Sequence, residues 1–263
     1  MHTNTRMYQP ATAAMAAWAQ LLAWVMRQAG VDWTALAHTG GMAELWARDD
    51  LGIVFMCGLP YSRRTPAPQL IAAPVPSLPR YGNRAVYCTD LAVRADSAYK
   101  TVEDTFGGRL GYTVRDSQSG YFALRHYLQR YGQPAHSLYR EIVGDLVHAR
   151  GVIEALADGR IDIGPLDGYV YDLLCHLEPQ FAHKVRILAS TDFTAMPPLV
   201  ATAALDPALL ESLQRAFLAV ENEPTLTQVR SLLLLKRFAL PQPADYATVR
   251  ERALAIEAAG PAW

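Results

Sequence analysis

The sequence has no excess of charge of either sign. Its 263 residues include 24 basic and 25 acidic side chains, which leaves a formal net charge of −1. Proteins that bind nucleic acid or anionic membranes usually carry a strongly basic surface, so we expect no nucleic-acid partner. With 51% apolar residues the chain is also not a disordered polymer, and it is long enough for two modest lobes. Any anion site must therefore be built locally.

Cysteines and metal-binding motifs are scarce. Cys57, Cys88 and Cys175 are widely spaced and form no C-x-x-C motif, so neither a disulfide framework nor a zinc site is indicated. The seven histidines include no H-E-x-x-H pair, and we assign no metal and no cofactor. Cys57 is interpreted as a small buried hydrophobe, because no histidine partner for a nucleophile can be assigned.

The sequence also lacks an apolar run long enough to span a bilayer. Its most apolar stretch, residues 13–26, is interrupted by Gln20, preceded by the single positive charge of Arg6, and followed by no A-x-A-like cleavage site. Trp18 and Leu21 fall at helical spacing, so we predict an amphipathic helix rather than a signal peptide. We therefore expect no direct membrane insertion and a cytoplasmic location, with a periplasmic location as the alternative.

Strand-like and helix-like segments alternate along the chain. This alternation favours βαβ units and doubly wound parallel sheets, with Gly58–Tyr61 as a turn after a buried strand. The predicted strands are Thr5–Tyr8, Leu51–Cys57, Leu70–Val75, Ala85–Val93, Leu110–Val114, Leu138–Val143, Ile161–Leu166, Val185–Ala189 and Pro198–Ala203. The predicted helices are Thr12–Gln28, Met42–Arg48, Thr101–Thr105, one that starts at Ser119, His148–Asp158, Gly168–His176, Pro207–Val220, Thr225–Leu234 and Tyr246–Ala258.

The fold class that we predict is α/β, with two doubly wound lobes joined by a two-strand hinge. No repeat or long linker separates the lobes, so we expect them to be intertwined. The first lobe would contain residues 1–88 and 194–263, and the second, inserted lobe would contain residues 89–193. The hinge crossings are predicted near residues 88–94 and 189–194.

The most informative stretch is residues 109–128, RLGYTVRDSQSGYFALRHYL. Its pattern predicts a strand, a tight turn and the start of a helix. A helix N-terminus presents unpaired N–H groups and the positive end of the helix dipole. Ser117 and Ser119 add hydroxyl donors, and Gly120 allows a ligand to approach closely. This predicts a site for a small oxyanion. The alternative is that Ser117 or Ser119 merely caps the helix.

Five motifs in their order along the chain point to one protein family. They are Met7-Tyr8, Cys57-Gly58-Leu59-Pro60-Tyr61, Tyr87 with Val93-Arg94-Ala95-Asp96, Ser117-Gln118-Ser119-Gly120, and Gly159-Arg160-Ile161-Asp162 leading to Asp167. Over nearly its whole length the chain resembles the phosphonate-type substrate-binding proteins of ABC importers, in particular their signal-less relatives. The resemblance implies a type II periplasmic-binding-protein fold, in which two α/β lobes close over a small ligand.

The resemblance also implies a set of ligand-binding residues. The serine motif would be the oxyanion cradle, the tyrosines would line the cleft, and Asp167 would hold an amine or orient the ligand. Gln118 replaces the threonine of many phosphonate binders, although its amide can still donate. The alternatives are that the tyrosines are core residues and that Asp167 caps a helix. The full set is Tyr8, Gly58, Tyr61, Tyr87, Ser117, Gln118, Ser119, Gly120 and Asp167.

Four basic residues near these motifs stay outside the predicted site. His148 and Arg150 lie near a position where relatives often carry a ligand-side histidine, but their positions differ from the family pattern by one residue. Arg63 and Arg64 lie in a loop, where arginines are usually solvated.

The function predicted from these patterns is that of a solute-binding protein. It would capture a small phosphonate- or phosphate-like anion and would pass it to an ABC permease as its partner. We predict no catalytic residues, because no histidine-rich or paired-carboxylate constellation can be assigned acid–base roles. The alternatives are a cytoplasmic enzyme of cofactor biosynthesis on the same fold, or a ligand-sensing protein.

Overall fold

The computed structural model describes residues 1–37 and 39–260. The chain divides into two compact units. Among the described residues, unit 1 contains those of Met1–Val86 and Ala195–Ala247, and unit 2 contains Tyr87–Thr194 and residues 248–260.

Helices and strands follow one another closely along the whole chain. The first part of the chain contains β1 (His2–Asn4), α1 (Thr12–Ala29), β2 (Thr34–Ala35), α2 (Met42–Trp46), β3 (Leu51–Phe55), α3 (Gly58–Arg63), β4 (Gln69–Pro76) and β5 (Val86–Tyr87). The middle contains β6 (Thr89–Arg94), β7 (Arg109–Gly111), α4 (Ala123–Leu128), α5 (Ala135–Leu138), β8 (Glu141–Val143), α6 (Ala149–Ala157), β9 (Gly164–Asp167), α7 (Gly168–Leu177), α8 (Pro179–Ala182) and β10 (Val185–Ser190). The last part contains β11 (Thr194–Ala195), β12 (Leu199–Ala201), α9 (Pro207–Ala219), α10 (Thr227–Leu232), β13 (Leu235–Ala239) and α11 (Ala247–Ala258).

Short helical turns lie between these elements. Single 3-10 turns span Arg6–Tyr8, Pro79–Tyr81, Glu103–Thr105, Gln129–Tyr131, Val220–Asn222, Pro224–Leu226 and Pro243–Tyr246. One π-helical turn, Gln118–Phe122, runs directly into α4.

Unit 1 is built on a six-stranded mixed sheet with the order β13-β4-β12-β3-β1-β2. β1 runs parallel to β2 and β3, whereas β12 is antiparallel to both of its neighbours and β13 is antiparallel to β4. All five residues of β3 are buried, as the continuous apolar run of this strand predicts.

Aromatic side chains dominate the core of unit 1. Trp18 of α1 is fully buried, packs edge-on against Phe55 at 5.1 Å between ring centroids, and donates from Nε1 to the carbonyl of Tyr8 at 3.0 Å. Phe238 packs against both Trp18 and Phe217. The amphipathic α1 therefore lies on the sheet as a core element, as predicted.

Unit 2 is built on a three-stranded sheet, β10-β6-β9, in which both pairs are antiparallel. The prediction of parallel sheets was wrong for this part of the chain. A short parallel pair, β7 and β8, lies beside it, and Leu110 bridges to Ile163 in parallel register. Alternation of strands and helices does not by itself distinguish the two directions, because the direction depends on which strands become neighbours.

Several predicted element boundaries were also wrong. Residues Arg6–Tyr8 form a 3-10 turn after β1 rather than a strand, and Gly58–Arg63 is a helix rather than a turn. The predicted strand Leu138–Val143 is the end of α5 followed by β8. Short apolar segments do not distinguish a strand from a helical turn by periodicity, which explains these errors.

Two further differences lie near the boundaries of the units. The predicted strand Ala85–Val93 is divided into β5 and β6, and β5 pairs with β11 in a separate two-stranded sheet. The prediction also placed the last helix in the first lobe, whereas the structure groups the chain from Thr248 onward with unit 2. The hydrogen bonds of α11 explain this grouping, because Arg125 of α4 donates to the carbonyls of Ile256 and Gly260.

Among the described residues, no helix combines the length and the apolar character that crossing a membrane requires.

Candidate functional site

The site in unit 2 starts at the junction between β7 and α4. Ser117 is the N-cap of the π-helical turn, and its Oγ accepts a hydrogen bond from the amide of Gly120 at 2.9 Å. Its carbonyl accepts from the amide of Phe122 at 3.1 Å. The alternative interpretation of Ser117 as a helix cap is therefore what the structure shows.

Gly120 is required at its position by steric fit. A Cβ atom added to it would lie 1.7 Å from Oγ1 of Thr113, and the carbonyl of Gly120 accepts from the amide of Thr113 at 3.2 Å. The amide of Gly120 already donates to the Ser117 hydroxyl oxygen. The prediction that this amide would donate to a ligand was therefore wrong. Gly120 instead permits the close approach of two backbone segments.

Three donors at this helix start remain available. Within residues 1–37 and 39–260, neither the amide N–H of Gln118 nor that of Ser119 meets an acceptor. The Ser119 hydroxyl likewise makes no hydrogen bond to another described residue, and its side chain is partly exposed. These donors lie at the positive end of the helix, where an oxyanion is stabilised.

Thr89 holds this helix start against the sheet. Its Oγ1 donates to the carbonyl of Ser119 at 3.0 Å, and its amide donates to Oγ1 of Thr191 at 3.0 Å. In the sheet register Thr89 of β6 pairs with Asp167 of β9. The sheet therefore brings the serine motif and Asp167, which are far apart in the sequence, to one edge of unit 2.

Asp167 lies at the carboxyl end of β9 and caps α7. Its Oδ1 accepts from the amides of Tyr169 and Val170 at 3.0 and 3.1 Å, and no described residue bonds to its Oδ2. Burial raises the pKa of Asp167 to about 7, the two amides oppose this shift, and the negative charges of Asp90 and Asp172 add to it. Asp167 is thus a helix cap, as in the alternative interpretation, and also a carboxyl group that titrates near neutrality.

A cavity of about 260 Å³ lies beside the serine motif, within unit 2. Gln118, Thr89 and the buried Tyr87 line one side of it. Gln118 is 5% exposed, and in the described chain its Oε1 is buried with no hydrogen-bond partner. Buried amide oxygens nearly always have a partner, so this atom indicates a place for a polar group that the chain itself does not supply.

The predicted residues of unit 1 gather around Met196 and Tyr246. Tyr8 is fully buried, with its ring edge-on to Phe55 and its hydroxyl 3.5 Å from the sulfur of Met196. Tyr246 donates to the carbonyl of Met196 at 3.0 Å. Both hydroxyls are thus held inside the packing of unit 1.

Gly58 and Tyr61 contact the same Tyr246. A Cβ on Gly58 would lie 3.1 Å from the Tyr246 ring, and the Tyr61 ring packs on it at 4.9 Å between centroids. Burial raises the pKa of Tyr61. The structure thus brings the predicted residues together as two groups, one in each unit.

The four basic residues outside the predicted site have structural roles or lie at the surface. His148 caps α6 through Nδ1, which accepts from the amide of Gly151 at 3.1 Å. Arg150 pairs with Glu178 at 2.7 Å. Arg63 is exposed, and Arg64 is partly exposed at the end of α3.

Several residues of this region were missed by sequence reasoning. They are Thr89, Thr113, Arg130, Thr191 and Arg252, which support the serine motif or line the cavity. No local motif marks them, since they come from five separate segments that only the fold brings together.

The three cysteines all lie in the described part of the chain, and none of them forms a disulfide. Cys57 and Cys88 are buried and Cys175 is partly buried. No group of three or more histidine, cysteine or acidic residues is placed to hold a metal ion within the residues that the structure describes.

Several solved structures are similar in fold to this chain. A binding protein component of an ABC phosphonate transporter from Pseudomonas aeruginosa is similar at 14% identity, with 97% of this chain and 85% of that chain covered and a TM-score of 0.80. PhnD1 from Prochlorococcus marinus, solved in complex with methylphosphonate, gives 14% identity, 97% coverage of both chains and a TM-score of 0.79. A Xanthomonas citri protein bound to ATP gives 16% identity, coverage of 98% and 96%, and a TM-score of 0.63. These likenesses show a type II periplasmic-binding-protein fold, as predicted.

No curated protein sequence matches this chain. A family model does match, and it covers residues 7–246, which is most of the chain. The match extends through both units and includes the serine motif and Asp167. The chain therefore belongs to the family of periplasmic substrate-binding proteins of phosphonate ABC transporters.

Proposed function

We propose that this protein captures a small phosphonate- or phosphate-type oxyanion at the helix start formed by Ser117–Gly120 and delivers it to an ABC permease. The observation that carries the proposal is the set of uncommitted donors there: the amides of Gln118 and Ser119 and the Ser119 hydroxyl. Hydrogen bonds to a charged oxygen are shorter and stronger than bonds between neutral groups.

The helix start is preorganised for this role. The Ser117 cap bond and the bond from Thr89 to the Ser119 carbonyl fix the backbone that carries the donors. A ligand that meets donors already in position does not have to order them, which saves part of the free-energy cost of binding. The chain has a net charge of only −1, so local donors rather than a general positive field would attract the anion.

Asp167 and Tyr87 are proposed to complete the site in unit 2. At neutral pH a carboxyl group with a pKa of about 7 is protonated in part of the molecules, so Asp167 can donate to an oxyanion or, when ionised, hold an amine. Tyr8, Gly58 and Tyr61 of unit 1 remain proposed ligand residues because of the family resemblance. Gly58 and Tyr61 pack against Tyr246, and Tyr8 packs against Phe55 and Met196, which supports a structural role as well.

The test is binding calorimetry of the full chain with methylphosphonate, phosphate, a sulfonate and a carboxylate. We expect the phosphonate or phosphate to bind, and Ser119→Ala to lose about 1–3 kcal/mol of binding free energy, or roughly 5- to 150-fold in Kd. Ser137→Ala is the matched control, because Ser137 is an exposed serine of α5 in the same unit. The proposal is wrong if no oxyanion binds or if the two variants behave alike.

One observation favours a second function, an enzyme on the same fold. The pKa of about 7 for Asp167 is in the range of a general acid or base. Product formation that is lost in Asp167→Asn while ligand binding persists would support catalysis. Binding without turnover across the same panel supports the transport function.

The proposed function also bears on location. A binding protein for import has to meet its ligand outside the inner membrane, so the proposal favours the periplasm over the cytoplasm. Fractionation of the native host with an antibody against this chain distinguishes the two, since a cytoplasmic protein would appear only with the soluble fraction of lysed spheroplasts.

A further inference from the structure

The cavity beside the serine motif has a composition that differs from that of the oxyanion cradle. Its lining includes the apolar side chains of Phe122 and Ile256 and the side chains of His126, Arg130 and Arg252. The volume of about 260 Å³ far exceeds the roughly 10–15 Å³ that one water molecule needs. It is therefore large enough for an organic group of several atoms.

The charged side chains that line the cavity are predominantly positive, with Arg130 and Arg252 against Asp192. Arg252 lies 3.9 Å from Asp192, which is longer than a charge-assisted hydrogen bond of about 2.7–2.9 Å. The Arg130 guanidinium stacks on the Tyr127 ring at 3.7 Å and pairs with no acidic residue in the described part of the chain. Two guanidinium groups thus face the cavity with one loosely paired carboxylate, which favours an anionic occupant over a cationic one.

The cavity and the cradle share residues. Gln118 contributes one of the cradle amides and also lines the cavity, and Thr89 both lines it and holds the Ser119 carbonyl. The cavity is therefore adjacent to the cradle through Gln118. The buried Oε1 of Gln118, which lacks a partner among the described residues, adds a polar group at this junction.

We propose that this cavity is a subsite for an organic arm of the ligand that ends in a second anionic group. The substrate class is then a bifunctional compound, with a phosphonate or phosphate ester at the serine cradle and a carboxylate or second oxyanion near Arg130 and Arg252. This inference rests on the proposed function, because the cradle has to hold the first group.

The test compares ligands that differ only at the end of the arm. Binding calorimetry of the full chain uses ω-carboxyalkylphosphonates with two to five methylene groups, n-alkylphosphonates of equal length, and methylphosphonate, which has no arm. For at least one arm length, we expect the ω-carboxyalkylphosphonate to bind at least tenfold more tightly than the n-alkylphosphonate of equal length. Equal or weaker binding of the carboxylate at every length overturns the inference.

Two kinds of variant locate the effect. Arg130→Gln combined with Arg252→Gln should bring the affinity ratio of carboxylate to alkyl compound close to one, whereas the exposed Arg215→Gln of α9 should leave it unchanged. Ala123→Phe fills the cavity and should weaken binding of the long-arm ligands at least tenfold more than that of methylphosphonate. Circular dichroism verifies that both cavity variants fold. The subsite is overturned if the arginine variant keeps the wild-type affinity ratio of carboxylate to alkyl compound and Ala123→Phe weakens the long-arm ligands no more than methylphosphonate.

The outcomes also separate this inference from the proposed function. If methylphosphonate or phosphate binds and the arm makes no difference, only the subsite is wrong. If no oxyanion of the series binds at all, both fail. If a dicarboxylate without phosphorus binds as tightly as the bifunctional ligand, the cavity is an independent site and the inference is overturned.

Discussion

The two units differ in what they bury. In unit 1 the buried polar side chains of the described chain are the uncharged Thr3, Asn4 and Thr5, and the core is packed with aromatic rings. Unit 2 buries both of the charged side chains in that set, Asp90 and Arg125. Burying charge is costly unless it is hydrogen-bonded, and here Asp90 accepts from the Ser190 hydroxyl while Arg125 donates to the carbonyls of Ile256 and Gly260.

Buried polar atoms without a partner among the described residues occur in both units, including Nδ1 of His2 and Nε of Arg230 in unit 1, but the two units differ in where these atoms lie. The two buried polar atoms next to the serine motif that lack a partner within the described residues, Oγ1 of Thr113 and Oε1 of Gln118, are both in unit 2. In unit 1 the hydroxyls of Tyr8 and Tyr246 both reach atoms of Met196. We therefore expect substitutions in the core of unit 1 to act mainly on stability, and substitutions at the serine motif of unit 2 to act mainly on binding.

The largest expected effect is on the stability of unit 1. Trp18→Ala should lower the free energy of unfolding by about 3–5 kcal/mol, because it leaves a cavity against Phe55 and removes the bond to the Tyr8 carbonyl. Urea denaturation followed by circular dichroism measures the change. Met15→Ala, at a half-exposed position of the same helix, is the control. A loss below about 1 kcal/mol for Trp18→Ala would contradict the assigned core.

In unit 2, Gly120→Ala should affect binding more than stability. The new Cβ would meet Oγ1 of Thr113 at 1.7 Å, so the helix start must shift and its donors lose their positions. Overpacking of this kind costs about 1–3 kcal/mol of stability, and we expect more than tenfold weaker binding of the oxyanion by calorimetry. Gly41→Ala is the matched control, since nothing lies within 4 Å of its Cβ position. If Gly120→Ala binds the oxyanion with unchanged affinity, the oxyanion does not bind at this helix start.

Arg125→Met tests the buried charge of unit 2. It removes the bonds to the carbonyls of Ile256 and Gly260 at the end of α11, and we expect a loss of about 1–3 kcal/mol in unfolding free energy. Hydrogen exchange should show faster exchange in α11 specifically. The exposed Arg215→Met is the control. If Arg125→Met proves neutral or stabilising, the charge does not hold α11 in place.

The last prediction concerns the pH dependence of stability that Asp167 contributes. A carboxyl whose pKa rises from 3.8 in the unfolded chain to about 7 in the folded protein stabilises the fold most below its unfolded pKa. That stabilisation is lost as the pH rises through 7. The stability of the wild type relative to Asp167→Asn should therefore fall between pH 4 and pH 8, while asparagine preserves the helix cap.

Denaturation series across this pH range measure the difference. Asp206→Asn is the matched control in unit 1, because Asp206 caps α9 through the same two-amide pattern at an exposed position. A stability difference for Asp167→Asn that stays flat with pH would show that the carboxyl titrates normally.

Strongly patterned elements were predictable from the sequence. The helix predicted at Thr12–Gln28 is Thr12–Ala29, and the one predicted at Pro207–Val220 is Pro207–Ala219. Each has a long apolar periodicity and a clear end signal, glycine in the first case and proline at the start in the second. Strand β13 was missed because Lys236 and Arg237 interrupt its apolar pattern at an edge of the sheet.

The candidate site was predictable only where it is local. Ser117 to Gly120 are neighbours in sequence, and a strand followed by a glycine-containing helix start already indicates free amide donors. Thr89, Thr113 and Arg252 come from separate segments, and no spacing rule connects them. Their roles could not be predicted because they depend on strand register and on where α11 packs.

The sequence by itself determined the α/β class, the family resemblance and the helix start with its serines, because each depends on residues that are close together in the chain. Tertiary structure alone decided that the sheet of unit 2 is antiparallel and that α11 belongs to unit 2. It also decided that Asp167 titrates near neutrality, since desolvation and the nearby charges of Asp90 and Asp172 arise only when distant segments pack together.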